Sequence, residues 1–518
     1  MPKQNHHIRQ RLLWSGHGHG PGRPYFPSTV VQARAEVLEL DGQWHHADQA
    51  YQQVQSWAEA ADDQALAGRA INKRGWQNHQ SGNYGQALDL FRQAETIFNE
   101  LGLPRDLGMA IGNIGKVHTE RGDYQQAIEC YQRQQEILRQ AGIAEMPIDL
   151  AGNLGVVYMY QGNYGRALEQ FGIMEQQARR VGDRASLLRA IGNQGGVRFY
   201  QGDYDLAMEH FRVMMDQARA IGDQKIIGHG MANIGNILEV QGRYPEALEV
   251  FTRMLELVER LGDRRNIALA CGNIGYILQQ QGRLGQALPW LVRQLALARE
   301  LGDKRSINYA VGNLGTARLL RGEFDAALED LGQQLAISTE LGDTQCIADA
   351  TANIGIIHKH RQQHAAAERA LSEAVRLGRS AAGNYNLAQY LNELADLYLG
   401  TGRPALAEPL VRQAAELLQQ QPRPELMLAN KVLTAKIMAT SDQMEAVRRL
   451  RDLLASSQDI GQRALLAFEL FQLSLNEHDK QQAIDLLATV QQQSEAIQFK
   501  AMHAALTAIR THDTMANN

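Results

Sequence analysis

Long hydrophobic runs are missing from this chain of 518 residues. None approaches the roughly 20 apolar residues that a membrane-spanning helix needs. The N-terminus is basic, but its longest apolar stretch, Leu12-Leu13-Trp14, is too short for the core of a signal peptide. Cysteine is scarce. Cys130, Cys271 and Cys346 are odd in number and far apart, which fits a reducing compartment without a disulfide framework. Aromatic residues make up only 6% of the chain, while Ala, Leu, Gln and Glu abound, which favours helix over strand. Charge of one sign is also lacking. The net charge is −5, with acids and bases interspersed, so no basic stripe argues for nucleic acid. A cytoplasmic protein that binds neither membrane nor nucleic acid is the expectation.

What the chain has is a repeat. Gly112-Asn113-Ile114-Gly115 returns as GNLG at 152, GNQG at 192, GNIG at 272 and GNLG at 312, and as ANIG at 232 and 352. The asparagines at 113, 153, 193, 233, 273, 313 and 353 are spaced by forty residues. A fixed period of that size indicates one stacked array rather than several domains. Within 223–262, apolar residues recur at helical spacings from Ile226 to Leu238 and again from Ala247 to Val258. Gly242 and Gly262 stand where each helix needs a left-handed end, and Pro245 stands in a first turn. Asp223 and Asp263 are placed to cap the helices that follow. Each unit is thus a helical hairpin of forty residues. Loop glycines recur from Gly42 to Gly322 and at Gly402, and second-helix alanines from Ala47 to Ala407. A single hairpin cannot bury its apolar face, but a stack can. Because stacked hairpins contact only their neighbours, an elongated or open-coiled molecule is expected.

Gly115, Gly122, Tyr124, Ala127 and Tyr131 stand at the small and aromatic signature positions of the tetratricopeptide repeat, which the chain resembles over residues 29–422. The forty-residue period is similar to the longer branch of that family, which includes Pins-type scaffolds, rapsyn and repeat tails of bacterial signalling proteins. The resemblance implies an all-α, right-handed superhelical solenoid whose first helices line a concave groove. It also implies that the asparagines face that groove and hold the main chain of an extended peptide.

The pattern fails in three places. Residues 1–28 read as a mobile tail with a His-Gly-His-Gly-Pro-Gly segment. The array, regular from about 63 to 361, then decays: Gln362 replaces the loop glycine, and Glu393 replaces the asparagine. Pro409 falls inside a predicted helix and should kink it. Residues 380–384 lie between two helices and mark an expected weak point. Residues 423–518 read as degenerate hairpins, 424–457 and 458–493, with a capping helix near 494–511. They either continue the superhelix or pack as a separate lobe.

No catalytic constellation accompanies the repeat, and neither a cofactor nor a metal is expected. His6, His7, His17, His19, His45 and His46 lack ligand spacing, and His358, His360 and His364 need not converge. The G-N-x-G segments fall mid-helix and lack the Lys-Ser/Thr of a phosphate loop. No Ser or Cys is paired by spacing with a base and an acid.

The asparagines suit peptide binding chemically. An amide offers one acceptor and two donors, so it can pair with a peptide N–H and C=O together. The alternative is that each asparagine bonds the adjacent repeat. Tyr160, Phe199, Tyr200 and Tyr276 are expected beside the asparagines on the concave side, or else fill gaps between first helices. Val156, Met159, Val240, Leu319 and Leu320 should join them, with Lys116, Glu120, Glu239, Lys359 and His360 adding mixed charge. A protein-interaction scaffold that binds an extended or helical partner segment is the expected function. The other reading is a sensor array that binds a signal peptide or its own tail and controls an enzyme or transcription factor. The sequence leaves the oligomeric state open.

Overall fold

The computed structural model describes residues 25–40, 42–143, 146–380, 386–420 and 422–513. Among them it forms twenty-five helices, from Tyr25–Leu40 to Ile497–Asp513, and no strand. The first described helix begins at Tyr25, ahead of residue 29 where the array was expected to start. The rest of the expected tail and most of the expected weak point at 380–384 lie outside the described residues.

The unit is clearest from Asp183 to Gly222. The Asp183 carboxylate accepts the Ser186 N–H at 3.1 Å and starts the helix Arg184–Tyr200. Gly202, at φ 79°, takes the left-handed conformation that closes the turn. Asp203 accepts from the Leu206 N–H and starts the helix Tyr204–Ile221, which Gly222 ends. Asp223 and Asp263 cap their helices in the same way, as expected. Gln362, standing where the other repeats have glycine, is held at φ 58°.

Close packing accounts for the second glycine of each G-N-x-G. A Cβ on Gly155, Gly235 or Gly275 would stand 2.5 Å from Phe171, Phe251 or Leu291 of the paired helix. Those three side chains are fully buried, so the glycine is the socket into which the large residue fits. The result is a right-handed superhelix of tetratricopeptide-type hairpins, first helices inside and second helices outside.

The C-terminal elements are Pro424–Met438, Gln443–Ser456, Ile460–Ser474, Glu477–Gln491 and Ile497–Asp513. Their core, which includes Val432, Leu450, Leu466, Leu487 and Phe499, also takes in Leu284 from far earlier in the chain. Pro409 does not end its helix, which runs from Pro404 to Gln420.

The coil is not open. Roughly five repeats after a given hairpin corner, the chain returns and touches it. The Lys304 N–H donates to the Ser81 carbonyl, Arg305 pairs with Glu120, and Arg265 lies 5.8 Å above the Trp44 ring. Leu341 and Ile337 share a core with Tyr84 and Leu88. A second stretch of the same seam joins Tyr244 to Glu425 and the Glu495 N–H to the Gly282 carbonyl, at 3.1 Å. The expectation of neighbour-only contacts therefore needs correction. Apolar corner residues of one turn bury themselves against the next, and the superhelix closes along its edges.

Candidate functional site

The inner surface is built by the first helices, and each carries its asparagine one turn beyond a second inward position. That second row is Met109, Asp149, Arg189, His229, Leu269 and Tyr309, all exposed. Sequence reasoning passed over it. The signal that finds it is spacing alone, four residues before each ladder asparagine.

The seven asparagines are not equivalent. Asn113 is buried, and its amide donates to Asn72 of the preceding repeat at 3.2 Å. Asn313 donates to Gln294 at 3.3 Å and Asn353 to Thr316 at 3.1 Å, again across a repeat boundary. The side chains of Asn153, Asn193, Asn233 and Asn273 make no hydrogen bond among the described residues. All four are half-buried. The row thus divides into inter-repeat bonds at its two ends and, between them, amides that make no hydrogen bond among the described residues.

The first glycine of the motif has a packing reason. A Cβ on Gly192 would stand 2.7 Å from the Met214 sulfur, and one on Gly272 2.5 Å from the Gln294 amide. Gln294 threads the gap at Gly272 and meets Asn313 of the next repeat. Side chains of the second helices thus take up the space that these glycines leave.

The expected aromatic residues divide as well. Tyr160 is 41% exposed and stacks on Tyr124, ring centroids 6.2 Å apart. Burial nevertheless pushes its phenol up to about 12, and raises those of Tyr124, Tyr200 and Tyr309. Water reaches the Tyr160 ring on one side, and protein surrounds it on the others. His229 tells the same story: it is exposed, yet burial lowers its imidazole. Phe199 is half-buried and packs on Tyr200 and Tyr204, so it serves the hairpin corner. Tyr276 is engaged by Glu239 and by Arg423 across the seam. Burial pushes the Glu239 carboxyl up to about 7 against the pull of Arg423. Leu319 is buried in a core with Leu331 and Ile357, and Leu320 packs against the C-terminal core.

Two hollows open beside the first asparagines. One, of about 360 Å³, is lined by Trp76, Tyr131, Asn153 and Arg305. The other, of about 300 Å³, is lined by Met109, Asn113, Gln134 and Asn153. Lys116 borders both, its ammonium 5.0 Å from the Trp76 ring, and burial lowers its pKa. Past Asn353 the inner face changes character. Lys359 bonds Glu393 at 2.6 Å and Asp396 at 3.0 Å, and Lys436 bridges Asp396 to Glu469. Burial alone would raise the Asp396 carboxyl, but Lys359 and Lys436 outweigh it and hold it below the usual range. This chain of charges stands where the asparagines stop. His360 stacks on Phe324 and His358 bonds Gln363. Among the described residues no cluster of His, Cys, Asp and Glu is placed to hold a metal, and no helix is long and apolar enough to cross a membrane.

A closed superhelix of hairpins around a lined channel defines a class: repeat proteins that work by presenting an extended concave surface. The profile of the tetratricopeptide repeat matches residues 106–171, 229–300 and 346–420, and these segments are tetratricopeptide repeats. Three solved structures are similar in fold. The apo form of the quorum sensor NprR from B. thuringiensis is 16% identical, over 66% of this chain and 98% of that one, with a TM-score of 0.45. A Rap protein complexed with competence and sporulation factor is 14% identical, over 64% and 98%, at 0.39. BtubC from P. vanneervenii is 18% identical, over 44% and 92%, at 0.36. No curated protein matches the sequence.

Proposed function

We propose that this protein is an interaction scaffold that binds an extended or helical segment of a partner protein along its inner surface. The main chain of that segment is held by Asn153, Asn193, Asn233 and Asn273. Asn113, Asn313 and Asn353 extend the ladder at its ends, where each shares its amide with a neighbouring repeat. Tyr160 and Tyr200 supply apolar contact, while Phe199 and Tyr276 shape the wall from behind. No catalytic step, metal or cofactor enters this reading. The observation that carries it is the row of four asparagines whose side chains make no hydrogen bond among the described residues. These amides are not sealed from solvent, so their donors and acceptor stay available to a ligand main chain.

The test is a pull-down from the native source with wild type and with the triple variant Asn193→Ala, Asn233→Ala, Asn273→Ala. Each amide contact contributes about 0.5–1.5 kcal/mol net, so the variant should bind its partner weaker by roughly 1.5–4.5 kcal/mol. Its melting should change little, because none of the three bonds another repeat. A variant that binds normally but melts far lower would make the asparagines structural and remove the reading. The captured molecule also separates adaptor from sensor. A structural client supports the first, and a short signal peptide the second.

A further inference from the structure

The seam between turns repeats a single contact, and among the described residues some of its corners are left uncovered. Leu341 stands at the corner between one hairpin and the next, and it is 3% exposed because Tyr84, Leu88 and Gly82 of the earlier turn cover it. Leu301 meets Gly42 in the same way: a Cβ on that glycine would stand 3.5 Å from it. The same repeat position in the first turn carries Leu101, Val181 and Ile221, which are 43%, 52% and 37% exposed. They hold the same kind of side chain at the same corner, but among the described residues no earlier turn covers them. Apolar side chains stand exposed on the opposite rim too. The hairpin corners at the C-terminal end lie where Tyr84 and Gly82 lie in the seam, and there Met444 is 84% exposed and Leu475 74%.

We infer that a second copy of this chain covers each rim. The corners near Met444 and Leu475 of one molecule seat against Leu101, Val181 and Ile221 of the next, so the intramolecular seam continues between molecules. The occupant is argued from continuity. The surface that covers Leu301 and Leu341 within the chain is a row of hairpin corners, and the C-terminal rim offers a row of the same kind. The two faces differ, so the contact is head-to-tail. It does not close on a pair, and it produces growing stacks of one superhelical sense.

Sedimentation of the full chain across a wide concentration range tests this. Wild type should grow in mass with concentration beyond a dimer. Val181→Glu with Ile221→Glu blocks one rim, and Met444→Asp with Leu475→Asp blocks the other. These side chains are exposed, so helicity and melting should hold. Each variant alone should stay monomeric, and an equimolar mixture should stop at the dimer, because each retains one competent rim. Wild type that is monomeric throughout would overturn the proposal. So would a dimer that persists in both variants, because that requires a two-fold contact elsewhere.

Discussion

Single residues reveal where the fold works against a local preference. Gln362 is forced to φ 58° at a corner that glycine takes elsewhere. A left-handed conformation costs a residue with a side chain roughly 1–2 kcal/mol, partly offset by its smaller entropy loss on folding. Gln362→Gly should therefore stabilise the hairpin Thr344–Ser380 by about 0.5–1 kcal/mol, read as slower hydrogen exchange in its two helices. Unchanged exchange would mean that Gln362 is anchored by more than its backbone. Glu239 works against a different preference. Its ordinary value of 4.5 is raised by burial to about 7, so the protonated form is the one the fold favours. Its contribution to stability is present below the unfolded value and is lost as pH rises through 7. Glu239→Gln mimics the neutral acid. It should stabilise the protein at pH 8 by on the order of 1–2 kcal/mol, discounted for solvent screening, and have little effect at pH 4.5. Denaturant melts at the two pH values decide it. An equal gain at both would point to packing rather than charge.

At the scale of the helix, glycines divide by what their missing side chain leaves room for. Gly235 and Gly172 both lie inside helices, where Ala is preferred by roughly 1 kcal/mol. A Cβ on Gly235 would stand 2.5 Å from Phe251, whereas one on Gly172 would meet nothing within 4 Å. Gly172→Ala should therefore stabilise by about 0.5–1 kcal/mol, and Gly235→Ala should destabilise by about 1–3 kcal/mol through overpacking. Two substitutions of equal chemistry with opposite signs in one denaturation series check the socket reading. The hairpins themselves were legible because their signals are local. Asp183, Gly202 and Gly222 act within a few residues of where they stand, and the pairing of Gly155 with Phe171 recurs at one spacing. The difference between Asn113 and Asn193 was not legible. Both sit in the same motif, and what separates them is Asn72 in the preceding repeat, a partner that most units lack. The row from Met109 to Tyr309 was missed for another reason: its residues share no chemistry, so only their position marks them.

At the scale of the whole molecule, Leu101 and Leu341 share one repeat position, and one is exposed while the other is buried. Nothing near either residue in the sequence distinguishes them. Their fates depend on how many repeats complete a turn, a property that accumulates from small rotations between hairpins. That is why the channel came as a correction to an open coil. It also makes the seam separable from the hairpins. Leu341→Asp places a charge in the core with Tyr84 and Leu88, where an unpaired buried charge is strongly unfavourable. Because no hairpin depends on that contact for its own fold, the molecule should respond by parting its turns rather than by unfolding. Circular dichroism should keep its helical signal. Small-angle scattering should give a radius of gyration larger than that of wild type, itself above the roughly 24 Å of a solid globule of this length. The inner surface would then widen, and His229 would gain water and titrate nearer its ordinary value. A Leu341→Asp variant that loses helicity would show that closure is part of folding. One with unchanged dimensions would show that the polar contacts of Lys304 and Arg305 hold the turns together without it.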